Sequence, residues 1–397
     1  MTFQGYPRKD GRKGIRNTLI VAYLVECAHH VARAVVNAFP DDDVQLIGFP
    51  GCYPNAYADK MMKQICTHPN VGGVLLLSLG CESFKRDALE KHVRESGRPG
   101  HTLVIQQQGG TASTIEQGVA WVGAQLQLLE AMPRVGMEVS ELIVGTICGG
   151  SDATSGLTGN PAAGRAFDKL IAGGAACIFE ETGELIGLEQ QLMARCERVE
   201  LAEEVSGCIT KAAIYYEKMG HGSFAPGNAE GGLTTIEEKS LGAYCKSGDS
   251  QIRGLIKPGD VPPEGGLYLL DVVPDGEPVF GFPNIVDNAE IVELIACGAH
   301  INLFVTGRGS VVGSAISPVI KICANPDTYE KLKEDMDINA GAILQGSQSL
   351  EQVGQAIYDL VLAVASGQAT RSEELGHREF ILGYKTFEPI GPSCLPR

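Results

Sequence analysis

The sequence predicts an α/β protein built on parallel sheet, and three observations carry that prediction. Short continuous apolar runs, the pattern of strands covered on both faces, alternate with amphipathic stretches of helical period. The 50 glycines gather at the ends of those runs rather than in low-complexity tracts. At 397 residues the chain exceeds one ordinary core and is expected to hold two domains.

The elements follow in order. Residues 18–24 form a first buried strand, followed by a helix through 31–36 that stops at Pro40. A strand at 44–49 leads to a helix over about 54–67, and a strand at 73–79 to a helix ending near 96. The fourth unit pairs a strand at 101–105 with a helix over 111–131. Strands alternating with helices in this way wind a parallel sheet through right-handed crossovers. The stretch 133–139 reads as a linker. Beyond it, an apolar strand at 142–147 runs into Cys148-Gly-Gly-Ser-Asp152, then into an amphipathic helix at 162–171 with Pro161 in its first turn. A strand at 175–179 opens into the acidic run 180–189. A long helix over about 200–219 ends at Gly220, a left-handed cap. The polar, glycine-rich loop 221–232 is long enough to suggest function. Strands at 267–273, 301–306 and 319–323 and a helix over about 350–366 complete the chain.

Composition excludes several classes. The formal net charge of −16 offers no basic face for nucleic acid. No run of 18 apolar residues exists to span a membrane, and the polar opening has no signal-peptide core. The 12 cysteines are spread over a long chain, so a reducing cytoplasm is expected, with thiols serving as core residues, metal ligands or nucleophiles.

Three cysteines follow predicted strands in glycine contexts: Cys52, Cys81 and Cys148. If their strands share one sheet, the three thiolates stand on one edge and can hold iron as a single ion or a cluster; otherwise they are small residues packed at strand ends. Glu181, Glu184 and Glu189 offer carboxylates for a metal or a general base, or simply complement a helix dipole. His221 lies in the polar loop with little that is apolar around it. Gly307-Arg-Gly-Ser310 presents an arginine and free amides to a carboxylate, phosphate or sulfonate. Lys321 is a lone charge in an apolar strand, and Lys239 is either an anion ligand or a solvated partner of its acidic neighbours. No Gly-x-Gly-x-x-Gly opens the first unit, so a nicotinamide cofactor is not indicated.

Together these motifs resemble the altronate/galactarate dehydratase family over nearly the whole chain. The likeness rests on Gly5-Tyr-Pro-Arg-Lys-Asp-Gly-Arg-Lys-Gly-Ile-Arg-Asn17, Leu77-Ser-Leu-Gly-Cys81, Cys148-Gly-Gly-Ser-Asp152, Asn160-Pro-Ala162, Pro226-Gly-Asn228, Gly231-Gly-Leu-Thr-Thr235, Glu238-Lys-Ser-Leu-Gly242, Thr306-Gly-Arg-Gly309 and Pro318-Val-Ile-Lys321. The resemblance implies an iron-dependent lyase. It implies a small α/β domain (1–133) used in dimer contacts, then a Rossmann-like domain (140–397) with an atypical crossover. The sugar-acid branch carries a small β-clip domain ahead of the Gly-Tyr-Pro opening. This chain begins at that opening, which resembles the sulfo-lyase branch, where the small domain is a separate subunit. Elimination from a 2-hydroxy acid needs a Lewis acid, a base and an anion seat. The expected iron ligands are Cys52, Cys81, Cys148 and Asp152. Glu181, His221 and Lys239 are the candidate bases, and Arg308, Ser310, Lys321 and Asn160 the candidate contacts to a small anionic substrate. The competing readings are a sugar-acid dehydratase and a non-catalytic structural subunit.

Overall fold

A computed structural model describes residues 2–220, 223–276 and 286–385. The strands, in chain order, are β1 (Thr2–Pro7), β2 (Lys13–Gly14), β3 (Thr18–Tyr23), β4 (Val44–Gly48), β5 (Val71–Ser78), β6 (Gly100–Val104), β7 (Val135–Glu138), β8 (Ile143–Cys148), β9 (Ala176–Phe179), β10 (Ile252–Ile256), β11 (Gly266–Leu270), β12 (Ile301–Thr306), β13 (Val319–Cys323) and β14 (Ile338–Asn339). They form three sheets. A four-stranded sheet runs β4-β3-β5-β6, a seven-stranded sheet β10-β11-β9-β8-β12-β13-β14, and a small sheet β2-β1-β7. Every pairing in the first two is parallel, which confirms the α/β class.

The Rossmann-like winding and its irregular crossover are both present. From β8 the chain moves outward to β9, and later returns to lay β12 on the other side of β8. On the first flank, β10 takes the outer place and β11 then fills the gap between β10 and β9. The expected strands are buried as read; β5 and β8 have no exposed residue. Gly220 closes the helix Val199–Met219 with φ 76°, as its cap position requires.

The stretch read as a linker is a strand. β7 pairs antiparallel with β1, Phe3 opposite Met137, so the polar opening and the segment after residue 133 form one ribbon. Edge strands with alternating exposure carry a weaker apolar signal than buried parallel ones. The two large sheets share apolar packing through the helices Ala56–Cys66 and Asp287–Ala296. Met61 and Ile65 of the first and Leu294 and Ile295 of the second join Ile47, Leu76, Ile147 and Phe304 in one core. No helix among the described residues is long and apolar enough to cross a membrane.

Where the small sheet meets the large one, His300 is buried. Its Nδ1 accepts the Ile143 amide at 3.0 Å, and its Nε2 lies 2.9 Å from the Lys13 carbonyl, a geometry that a neutral ring with Nε2–H satisfies. Burial pushes its pKa down to about 4, whereas an unfolded histidine titrates near 6.5. Between those values the unfolded chain holds a proton that the folded chain does not. The contribution is therefore complete above about pH 6.5 and is lost as pH falls toward 4; it amounts to about 3 kcal/mol. The stability gap between wild type and His300→Gln, from denaturant unfolding, is expected to narrow by on the order of 2–3 kcal/mol between about pH 7.5 and about pH 4.5. A gap that does not change with pH would assign the acid sensitivity elsewhere.

Candidate active site

Ligands of open parallel sheets bind beyond the carboxyl ends of strands where the winding reverses. Here that point is the end of β8, and the residue standing there is Cys148. Register then places its neighbours. Thr146 pairs with Phe179 across β8 and β9, so two further places bring Cys148 opposite Glu181. The Cys148 amide donates to Glu181 Oε2 at 2.8 Å; its thiol lies 3.2 Å from that oxygen and 3.1 Å from Glu184 Oε2. Glu181 has φ 81°, the one non-glycine residue in the left-handed region among the described residues. That backbone costs about 1–2 kcal/mol and turns the chain so that Glu181 and Glu184 both face the thiol.

Two lysines answer the two carboxylates. Lys246, fully buried, contacts Glu181 Oε2 and lies 3.4 Å from the Cys148 sulfur. Lys239 meets Glu184 Oε1 at 2.5 Å and donates to the Ser223 carbonyl at 2.7 Å. Both lysines come from one segment, the helix Ile236–Tyr244 and the turn Cys245–Ser247. It sits this close because side chains are missing at two places. A Cβ on Gly164 would stand 2.2 Å from the Cys245 carbonyl oxygen, and one on Gly156 would stand 2.7 Å from the Gly242 Cα.

Burial sets the electrostatics. It pushes the Cys148 thiol up to about 12, with the Glu184 charge adding to the effect, so without a cation the sulfur keeps its proton. At Lys239 burial works against the ammonium, but Glu184 outweighs it and the net shift is upward. Asp287 is raised to about 6 by burial and then by Glu184. Glu290 is raised to about 7, chiefly by burial. Glu180 is wholly buried, and no N–H or O–H donor among the described residues reaches either of its oxygens.

Two cavities open from the cluster, and Lys239 lines both. One, of about 390 Å³, has Cys148, Ser151, Asp152 and Asn160 on one side and Leu233 and Leu241 on the other. The second, of about 370 Å³, is acidic, bounded by Glu181, Glu184, Asp287 and Glu290 with Tyr216. Two buried groups present ligand atoms within 4.8 Å of one another and can hold a metal ion: Cys148, Glu181 and Glu184, and Glu180, Glu181 and Glu290.

The structure thus gathers Cys148, Glu181, Lys239, Asn160 and Asp152. Asp152 is already engaged, accepting from the Thr154 amide at 2.9 Å, the Thr154 hydroxyl at 2.6 Å and Asn325 Nδ2 at 2.9 Å. The premise that three cysteine-bearing strands share one sheet edge does not hold. Cys52 and Cys81 follow β4 and β5 of the four-stranded sheet and are exposed, whereas Cys148 ends β8 of the other. Local strand-end patterns look alike in the two sheets, so the sequence could not separate them. Arg308 pairs with Glu230 at 3.0 Å and donates to the Gly227 carbonyl. Ser310 Oγ accepts the Val312 amide at 3.2 Å. Lys321 is buried in β13 with its Nζ 3.1 Å from His377 Nδ1. His221 lies outside the described residues.

Sequence reasoning missed Glu180, Lys246, Asp287 and Glu290. Lys246 had no signal beyond a glycine two places on, and it comes from 98 residues beyond Cys148. Asp287 and Glu290 lie in the first turn of the helix Asp287–Ala296, where acids read as ordinary dipole complements.

The fold and the buried thiol–carboxylate–lysine cluster at a sheet switch point define an α/β protein with a candidate active site at the end of β8. A family model described as D-galactarate/altronate dehydratase, C-terminal, matches residues 139–387, and one described as D-galactarate dehydratase/altronate hydrolase, second domain, matches residues 5–130. The chain belongs to the D-galactarate/altronate dehydratase family. It is 33% identical to the (2R)-sulfolactate sulfo-lyase subunit beta of Chromohalobacter salexigens, over 96% of this chain and 97% of that one. It is 32% identical to altronate dehydratase of Bacillus subtilis, over 96% of this chain and 77% of the relative. Galactarate dehydratase (L-threo-forming) of Escherichia coli is also 32% identical, over 94% and 75%.

Removing one member of a buried ion pair strands the other. Lys246→Met is expected to cost about 3–5 kcal/mol, and adding Glu181→Gln to recover a large part of it. Denaturant unfolding of both single variants and the double variant measures the coupling. Additive losses would mean that the pair does not interact.

Proposed function

We propose that this chain is the large subunit of a carbon–sulfur lyase that converts (2R)-sulfolactate to pyruvate and sulfite, working with a separate small β-clip subunit. The carrying observation is the buried cluster around Cys148, which sets cation ligands, a lysine ammonium and an acidic wall around two adjoining cavities. The choice of sulfolactate is supported by the sulfo-lyase relative, 33% identical over 96% of this chain. The second reading, a sugar-acid dehydratase, is favoured by the names of both family models.

The reaction removes the proton at C2 and breaks the C3–S bond. The C2–H electrons form the double bond, sulfite leaves with the C–S pair, and the resulting enol becomes pyruvate. A proton beside an ionised carboxylate is weakly acidic, so charge growing on the substrate oxygens must be met by fixed positive groups. Lys239, held as an ammonium by Glu184, is the proposed contact to the substrate's anionic end, with Asn160 across the first cavity. Asn160 Oδ1 has no donor among the described residues, so it is free to accept from a substrate hydroxyl. Glu181 is committed to the Cys148 amide and Lys246. Asp287, on the acidic wall with its carboxyl near 6, is the base this geometry favours, because its pKa lies closer to neutrality than that of an exposed aspartate.

Iron(II) is the cofactor in this reading, and Cys148, Glu181 and Glu184 would hold it. One thiol with two carboxylates suits a borderline divalent ion, whereas iron–sulfur clusters are bound by several thiolates, so a mononuclear ion is proposed. When bound, it supplies a Lewis acid to the substrate oxygens.

With the small subunit added, the chain is expected to release sulfite from sulfolactate and to leave altronate and galactarate unchanged. Turnover of a sugar acid without sulfite release would replace the sulfo-lyase reading with the dehydratase one. Cys148→Ala is expected to lose most bound iron after anaerobic purification, and Asp287→Asn to keep its iron while kcat falls by about 100-fold or more.

A further inference from the structure

Beside the Cys148 cluster, and sharing Glu181 with it, stands a second set of buried oxygens. Glu180, Glu181 and Glu290 each place a carboxylate oxygen within 4.8 Å of the others, and all three are buried. Glu180 is the telling member. It is wholly excluded from solvent, yet neither of its oxygens receives a hydrogen bond from an N–H or O–H donor among the described residues. Among the described residues its one hydrogen-bonding neighbour is another carboxyl, that of Glu290, so the pair must share a proton or a cation. Of the ammonium groups, Lys246 is spent on Glu181, and Lys385 is bonded to Glu293 at 2.7 Å. Buried carboxylates without donors require a counter-charge, either a proton or a cation.

We infer that Glu180, Glu181 and Glu290 form a second divalent-cation position, joined to the Cys148–Glu181–Glu184 position through the shared Glu181 carboxylate. The donors differ in kind between the two. The first set includes a sulfur and suits a borderline ion, whereas the second is all oxygen and suits a hard ion such as Mg²⁺ or Mn²⁺. The left-handed backbone at Glu181 fits this arrangement. It lets consecutive residues 180 and 181 aim their carboxylates into one space, which an extended strand would send to opposite faces. The second position would fix the orientation of Glu181 and balance the buried negative charge beside it. It rests on the metal-binding part of the proposed function and not on the choice of substrate.

The probe is Mn²⁺, added without oxygen to metal-free full-length chain and read by ion-to-chain ratio and low-temperature electron paramagnetic resonance. Two ions per chain at saturation are expected, with a signal altered by exchange through a bridging carboxylate. Glu290→Gln and Glu180→Gln, which keep side-chain size, should each retain one ion with an isolated six-line signal. Cys148→Ala should instead weaken the first position and spare the second. Thermal unfolding of each variant shows that it is folded. One ion per wild-type chain, with an isolated signal, would overturn the inference and leave a proton shared by Glu180 and Glu290 as the counter-charge; the metal reading of the Cys148 cluster would survive. No bound ion in any protein would overturn both.

Discussion

The site depends on one alignment, the register that sets Cys148 beside Glu181 across β8 and β9. It puts a buried carboxylate against a backbone amide and a thiol. Once a carboxylate is buried there, the chain must supply positive charge or lose the fold. The answer comes from a distant segment, residues 236–247, whose two lysines reach the two glutamates. That segment can reach them because backbone meets backbone at Gly156 and Gly164. Strand register, glycine placement and charge balance therefore form one requirement, and a change to any of them disturbs the others.

The same balance separates the two cavities chemically. Lys239 stands between a wall with leucines and small residues and a wall of acids. Under the proposed function, an anionic substrate would meet the Lys239 ammonium at one point and acids beyond it, which would orient the molecule as well as bind it.

The sheets were legible in the sequence because parallel strands buried on both faces read as unbroken apolar runs; β3, β5, β8 and β12 are of this kind. β1 and β7 were not, since an antiparallel ribbon with exposed alternate residues looks like polar loop. β10 was hidden as well, its Ile-Arg-Gly-Leu-Ile broken by an arginine and a glycine. At the site, Cys148 and Glu181 could be found because each stands at or just past a strand end in a run of polar or glycine residues. Lys246 and Glu290 could not, because three-dimensional proximity alone gives them meaning. Which sheet a strand-end cysteine joins is likewise a property of the whole topology, which is why Cys52 and Cys81 read the same as Cys148.

The ribbon of β1 and β7 has a mechanical meaning. The chain enters the four-stranded unit just after β1 and leaves it just before β7, and those two strands are hydrogen-bonded to each other. The unit is therefore tethered at both ends, like a loop drawn through a clasp, rather than strung on a single thread. Cutting one connection inside it would leave both pieces anchored, one through β1 and the other through β7. A twist of the unit against the seven-stranded sheet must also shear that clasp.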